Sequence, residues 1–307
     1  MKRSIFIFIS FILSIPALAQ QINISENEEG LQVTENGKKV FFYQKASQDH
    51  EGEYERCHYI HPLRGLEDGI ITEDFPDDHL HHRGIFWAWH QVWINDQRIG
   101  DPWEIKDFDQ EVVDLDVMNA DDGKGRIETR VHWKSPLWED GKEPYLKEST
   151  TITVHPESGN HRRIDFTIRL RATVDNLTIG GSENEKGYGG FSVRMVLPDD
   201  VRFSGPEGKV KPQNTPVPSP GYINIAGSLE NESTNSGILI IDSPENPDYP
   251  QDWILRKKHS MQNAVFPGQD PYPVSKSDPL KLKYSLIIYS GNPAEKTIKQ
   301  WIGNTSQ

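Results

Sequence analysis

The chain is 307 residues long, 26% charged, carries a formal net charge of −13, and contains one cysteine, Cys57. Such an acidic balance makes nucleic acid and anionic membrane surfaces poor partners. A single cysteine excludes an intramolecular disulfide, so stability must come from a hydrophobic core, and about 290 residues beyond the leader described next are ample for one large all-β domain.

Met1-Lys2-Arg3 precedes an apolar run over 5–13, and Pro16-Ala17-Leu18-Ala19 precedes polar Gln20-Gln21. A basic start, a short apolar stretch and an Ala-x-Ala site predict a signal peptide over 1–19 and a single domain over 20–307. The run falls short of the roughly 20 apolar residues of a spanning helix. No later stretch is apolar enough to span, and no cysteine follows the cleavage site to carry a lipid. The expected product is exported, periplasmic or secreted, and loss of Lys2 and Arg3 takes its charge from −13 to −15.

In chain order, residues 31–44 read as a hairpin, because Asn36-Gly37 supplies the positive φ angles of a type I′ turn. Alternating or β-branched runs follow at 56–60, 69–72, 85–94, 111–118, 126–133, 146–155 and 163–174. Further runs lie at 191–197, 221–226, 237–241 and 280–289. Residues 164–172 alternate strictly, as a half-buried antiparallel strand does. The glycine-rich loop 180–190 lacks the Gly-Lys-Ser/Thr ending of a phosphate loop. The proline-rich run 212–220 predicts an extended connection. Only 293–301 looks helical, with Ile298, Trp301 and Ile302 on one side. Many strands, glycine, proline and asparagine turns and almost no helix predict a large antiparallel β-sandwich or barrel with a short C-terminal helix.

Six of the eleven histidines fall between positions 58 and 90: His58, His61, His79, His81, His82 and His90. Glu73, Asp74, Asp77 and Asp78 accompany them, and the cluster runs into Trp87 and Trp89, with Trp93 and Trp103 close behind. Imidazole exchanges protons near neutrality and also binds metals, and charged groups abutting an aromatic strand suggest a cleft. The plainer alternative is a solvated strand end in which histidines and carboxylates satisfy one another. If the strand is unbroken, Trp87, Trp89 and Trp93 share one face, as core or as a stacking platform for sugar rings, and His90 points the other way. His79, His81, His82 and Asp78 are possible ligands for a divalent metal, but on an extended backbone His82 faces away from the other two, and no cofactor is expected.

His61-Pro62 and Thr72-Glu73-Asp74-x-Pro76-x-Asp78-His79-x-His81-His82-Arg83-Gly84, with Trp87 and His90, resemble a family labelled methane oxygenase PmoA-like. The resemblance extends through 187–194, Asp242-x-Pro244-x-Asn246-Pro247 with Trp253 and Arg256, and 263–268, and so covers nearly the whole mature chain. Ser243 departs from the histidine expected after the Asp. The label's activity does not carry over, since a membrane monooxygenase subunit needs several spanning helices. What the resemblance implies is an exported supersandwich similar to galactose mutarotase-like domains, among carbohydrate-degrading enzymes. Mutarotases of that fold move protons at the anomeric centre with histidines and a carboxylate.

The leading expectation is an exported glycoside hydrolase acting on a poly- or oligosaccharide. Its catalytic candidates are Glu73, Asp74, Asp78 and, from the glycine loop, Glu185, with His79, His82 and His90 as proton carriers. Arg83 would hold a hydroxyl, carboxylate or sulfate of the sugar. Substrate-binding candidates are His58, His61, His81, Trp87, Trp89, Lys186, Tyr188, Arg194 and Arg256. The alternatives are a sugar epimerase or polysaccharide lyase with a histidine base, and a carbohydrate-binding protein without catalysis. Because adjacent side chains on an extended strand leave opposite faces, a bulge or turn at residues 82–84 is required to bring His79, His82 and Arg83 to one pocket, with His90 or Glu185 nearby.

Overall fold

The computed structural model describes residues 22–119, 122–231, 234–258 and 260–303; the expected signal peptide lies outside them. The architecture is all-β and antiparallel. An eight-stranded sheet runs in the order Ile22–Glu26, Gly30–Glu35, Lys38–Gln44, Tyr59–Leu63, Ile85–Trp89, Gly189–Met195, Ser260–Ala264, Trp253–Ile254. A nine-stranded sheet runs Asp109–Asn119, Gly125–Lys134, Leu146–Val154, His161–Ala172, Leu280–Ser290, Thr234–Asp242, Tyr222–Asn231, Arg202–Gly205, Gly208–Lys209. A four-stranded sheet of Tyr272–Val274, Leu177–Gly180, Gln91–Ile94 and Gln97–Gly100 flanks them.

Local signals placed several of these elements. Gly30–Glu35 pairs with Lys38–Gln44 across Asn36 and Gly37, at φ 49° and 81°, the left-handed pair the Asn-Gly turn demands. Along His161–Ala172 the inward residues Ile164, Phe166, Ile168 and Leu170 are buried while Arg169 and Arg171 are exposed, which is the predicted alternation. The helix occupies Glu295–Gly303, with Pro293 two residues ahead of it; Trp301 stacks on His161 at 4.4 Å.

The two large sheets pack through rings. Phe166 lies 6.3 Å from Trp87 and 5.1 Å from Phe191, Tyr284 stacks on Phe191 at 4.6 Å, and Trp89 meets Trp133 at 5.8 Å. Each such aromatic withdraws about 150–250 Å² from water, so truncating one costs roughly 3–5 kcal/mol. This corrects the stacking-platform alternative for Trp87 and Trp89, which are 4% and 0% exposed: their shared face is the one the nine-stranded sheet covers.

Two expected strands are interrupted. The run 56–60 divides at His58, whose φ of 58° separates Glu53–Arg56 from Tyr59–Leu63. The run 85–94 divides at His90, where the chain leaves the eight-stranded sheet and enters the four-stranded one, so Trp93 does not continue the Trp87 row. Residues 69–72 form only isolated bridges, Ile70 with Arg64 and Thr72 with Met195. The proline-rich segment bends at Asn214 and Thr215 and is joined to Trp253 by a single bridge from Val217.

Candidate active site

The histidine segment forms a loop closed by a bridge between Asp74 and Arg83. The backbone N–H of Gly84 donates to the Glu73 carbonyl at 2.7 Å, and that of Arg194 donates to the Gly84 carbonyl at 2.8 Å. Gly84 has φ +27°, and a Cβ there would sit 1.9 Å from the Ile60 carbonyl oxygen, so the position admits only glycine. Buried Arg56 ties the loop from beneath: it pairs with Asp74, donates to the carbonyls of Leu80 (2.5 Å) and His82 (3.3 Å), and lies over the Phe75 ring. Within the loop the N–H groups of His79 and His82 donate back to the carbonyls of Pro76 and His79, and these tight turns override strand alternation.

The consequence is a packed trio of imidazoles. His79 stacks on His82 with centroids 4.7 Å apart, and His81 meets His82 edge-on at 4.6 Å. Among the described residues no three His, Cys, Asp or Glu side chains form a group that could hold a metal ion; these rings stack on one another. Arg194, 1% exposed, donates to Glu73 at 2.8 Å, to Asp78 at 2.8 Å and to Nδ1 of His82 at 3.1 Å. The last bond fixes His82 as the neutral tautomer with its proton on Nε2. Burial, reinforced by His81, His79 and Arg194, drives the His82 pKa far below the usual histidine range. Burial and His79 hold His81 down to about 3. Burial opposes ionisation of Asp78, but its bonds from Arg194 and His79 overcome that and lower its pKa.

His79, His81, His82 and His90 line one cleft of about 950 Å³. His90 reaches it because the strand breaks there and the hairpin of Gln91–Ile94 and Gln97–Gly100, turning at Asn95, returns the chain to Asp101. Asp101 Oδ2 lies 3.0 Å from His90 Nδ1 and 3.2 Å from the Arg98 guanidinium, while its Oδ1 accepts from the Glu104 N–H at 3.0 Å. His90 stacks on Trp103 at 5.4 Å, and Trp103 stacks on Tyr188 at 5.7 Å. Glu104 sits 3.3 Å from His81 Nδ1, and burial raises its carboxyl pKa. The glycine loop completes the cleft with Ser182, Glu183, Asn184, Lys186 and Tyr188, and residues 256–258 with Ser260 and Met261 form the far wall.

Of the residues the sequence singled out, His79, His81, His82, His90, Lys186, Tyr188 and Arg256 therefore meet in this cleft. The predicted turn at 82–84 is present, but Arg83 does not share the pocket: it is 1% exposed, packs on Phe86 at 4.6 Å and donates to the carbonyls of His81 and Pro102. Gly84 turns the chain after Arg83 and leaves the two neighbouring side chains on opposite sides. Burial brings the Arg83 guanidinium down to about 9, still charged at neutrality. Glu73, Asp78 and Arg194 stand behind the histidines and support His82; Asp74 is held by Arg56 and by the Tyr59 hydroxyl at 2.7 Å. Glu185 faces an adjoining groove beside Asp248 and Asp252. His61 bonds Thr72 in a separate depression, and His58 is sealed in the core.

Sequence reasoning missed Asp101, Glu104, Lys257 and Lys258. The Asn95-Asp96 pair directly after the apolar run 92–94 was the available signal that the chain doubles back toward His90. Nothing local marked residues 256–258 as neighbours of the histidine loop.

No curated protein matches the chain. The model of a family of unknown function, DUF6807, matches residues 30–302, which take in every element of the cleft, and the chain belongs to that family.

Proposed function

We propose that this is an exported carbohydrate-active enzyme whose reaction turns on proton transfer by His90. The observation that carries the reading is the His90–Asp101 pair, 3.0 Å apart, opening on a cleft of about 950 Å³ that His79, His81 and His82 also line. With Nδ1–H held by Asp101, Nε2 is the nitrogen left to take a proton from a sugar, and the Asp101 carboxylate stabilises the imidazolium that results. Glu104, its pKa raised by burial, suits the return of a proton to the opposite side of the reacting centre. The Trp103–Tyr188 stack offers an aromatic flank to a sugar ring. The resemblance to mutarotase-like supersandwiches and the expected signal peptide support sugar chemistry outside the cytoplasm. In a uronate, β-elimination would have His90 take the C5 proton while the C4–O bond breaks and Glu104 protonates the departing oxygen. Epimerisation would have Glu104 return a proton to C5 from the other face, and both also need a cation of the cleft against the uronate carboxylate.

Hydrolysis is the second reading, favoured by Glu104 as general acid with His90 activating water. The carboxylates first expected to serve a hydrolase are engaged by Arg56 or Arg194, or face the adjoining groove. Products separate the readings: elimination yields an unsaturated sugar absorbing in the ultraviolet, hydrolysis a new reducing end without it, and epimerisation a new set of ring-proton couplings. A broad glycan panel that yields none of the three with folded protein would sink the catalytic reading and favour a binding protein.

A further inference from the structure

The chain as a whole carries −13, yet its cleft is lined by Arg98, Lys186, Arg256, Lys257 and Lys258 against only Glu104 and Glu183. Glu183 is matched by Arg98 at 3.1 Å, which leaves the opposite wall uncompensated. Arg256 is held by the Tyr188 hydroxyl (2.6 Å) and by the carbonyls of Gln213, Leu255 and Asn214, acceptors that position a guanidinium without neutralising it. Lys186 sits 5.6 Å from the Tyr188 ring, and neither Lys257 nor Lys258 makes an ion pair among the described residues. Glu185, Asp248 and Asp252 line the adjoining groove together with Lys186, so the cations that belong to the cleft alone on this side are Arg256, Lys257 and Lys258. The cleft thus has two poles: imidazoles and Glu104 at one end, a cationic wall at the other, and the Trp103–Tyr188 shelf between.

Unneutralised cations grouped in a concave site focus potential on a ligand of opposite sign. A neutral sugar would leave those charges to water and counterions alone. We infer that the cleft takes a saccharide bearing an anionic substituent, a carboxylate or a sulfate, seated against Arg256, Lys257 and Lys258 with its ring along Trp103 and Tyr188. The inference rests on the reading of this cleft as a sugar site but needs no turnover.

The test is calorimetric binding by the full mature chain of trigalacturonate, a sulfated galacto-oligosaccharide, a neutral galacto-oligosaccharide of equal length, and inorganic sulfate, at about 20 mM and about 300 mM salt. The expected result is about tenfold tighter binding of at least one anionic sugar than of the neutral one at low salt, with the gap narrowing at high salt. The arm that binds identifies the uronate or the sulfate ester. Lys257→Gln/Lys258→Gln should abolish most of that preference and leave neutral-sugar binding and the unfolding midpoint unchanged. Equal affinity for neutral and anionic sugars, a preference untouched by the double variant, inorganic sulfate binding as tightly as the sugars, or no binding of either anionic sugar would overturn the inference. Anion-selective binding without any turnover would leave it standing and remove the catalytic proposal; turnover of a neutral glycan without anion preference would do the reverse.

Discussion

His58 and His90 each sit beside a carboxylate, at 2.6 Å from Glu148 and 3.0 Å from Asp101, but the two pairs belong to different kinds of site. Both nitrogens of His58 are consumed, Nδ1 by the Tyr43 hydroxyl at 2.7 Å and Nε2 by Glu148. Glu148 also accepts from the indoles of Trp87 and Trp133 and from Thr150, and every member lies within the core between the sheets. Burial alone would raise the Glu148 pKa; His58 and these donors reverse the direction and lower it. His90 has Nδ1 occupied and Nε2 without a hydrogen bond among the described residues, on the wall of an open cleft. Proximity of imidazole and carboxylate does not itself make a proton-transfer site. What distinguishes them is whether the second nitrogen opens on volume that a ligand can enter.

The comparison breaks most sharply at Glu148. Glu148→Ala strands His58 and two buried indole N–H groups, so unfolding in urea should show a loss of about 3–5 kcal/mol against a total of order 5–15 kcal/mol. A loss below about 1 kcal/mol would mean the sealed network is not what secures the sheets there. Next in size, His90→Ala should lower kcat/KM on any glycan the wild type turns over by about 10²–10³ with the unfolding midpoint unmoved. His58→Ala should do the opposite, destabilising the fold strongly. If the two variants behave alike, the division between sealed and open pairs fails.

The smallest effect is in pH dependence. His81 is held down to about 3, first by burial and then by neighbouring His79 and Arg83, whereas in the unfolded chain it titrates near 6.5. Between those values the unfolded state binds a proton that the folded state refuses, so stability is greatest above about 6.5 and falls as pH drops toward about 3. Urea midpoints taken at pH 7 and pH 4.5 should reveal roughly 2 kcal/mol of this loss in the wild type and less in His81→Gln. An unchanged slope in the variant would show that His81 is free to protonate in the folded protein.

Much of the fold was legible because it depends on neighbours in sequence. The Asn36-Gly37 hairpin follows from backbone sterics, the strand His161–Ala172 from its period-two alternation, and the C-terminal helix from one apolar side at helical spacing. The histidine concentration likewise pointed to a loop whose imidazoles line a cleft, and Gly84 to a turn there. Which of those residues meet a ligand was not legible. Trp87, Trp89 and His58 looked like site residues by type and became core when the nine-stranded sheet closed over them.

The sequence by itself thus determined the all-β class, the long alternating strands, the Asn36-Gly37 turn, and that proton-carrying side chains gather in residues 58–90. Tertiary structure alone decided the rest. The break at His90 exists because its two halves join different sheets, and Asp101 reaches it through the hairpin that follows. Tyr188 and residues 256–258 reach the cleft because Gly189–Met195 lies between Ile85–Trp89 and Ser260–Ala264 in one sheet. The physical reason is that alternation assigns a side chain to one of two faces, but what covers each face depends on pairings between segments far apart in the chain, such as Trp89 with Gly189 and Ser192 with Asn263, which no local pattern encodes.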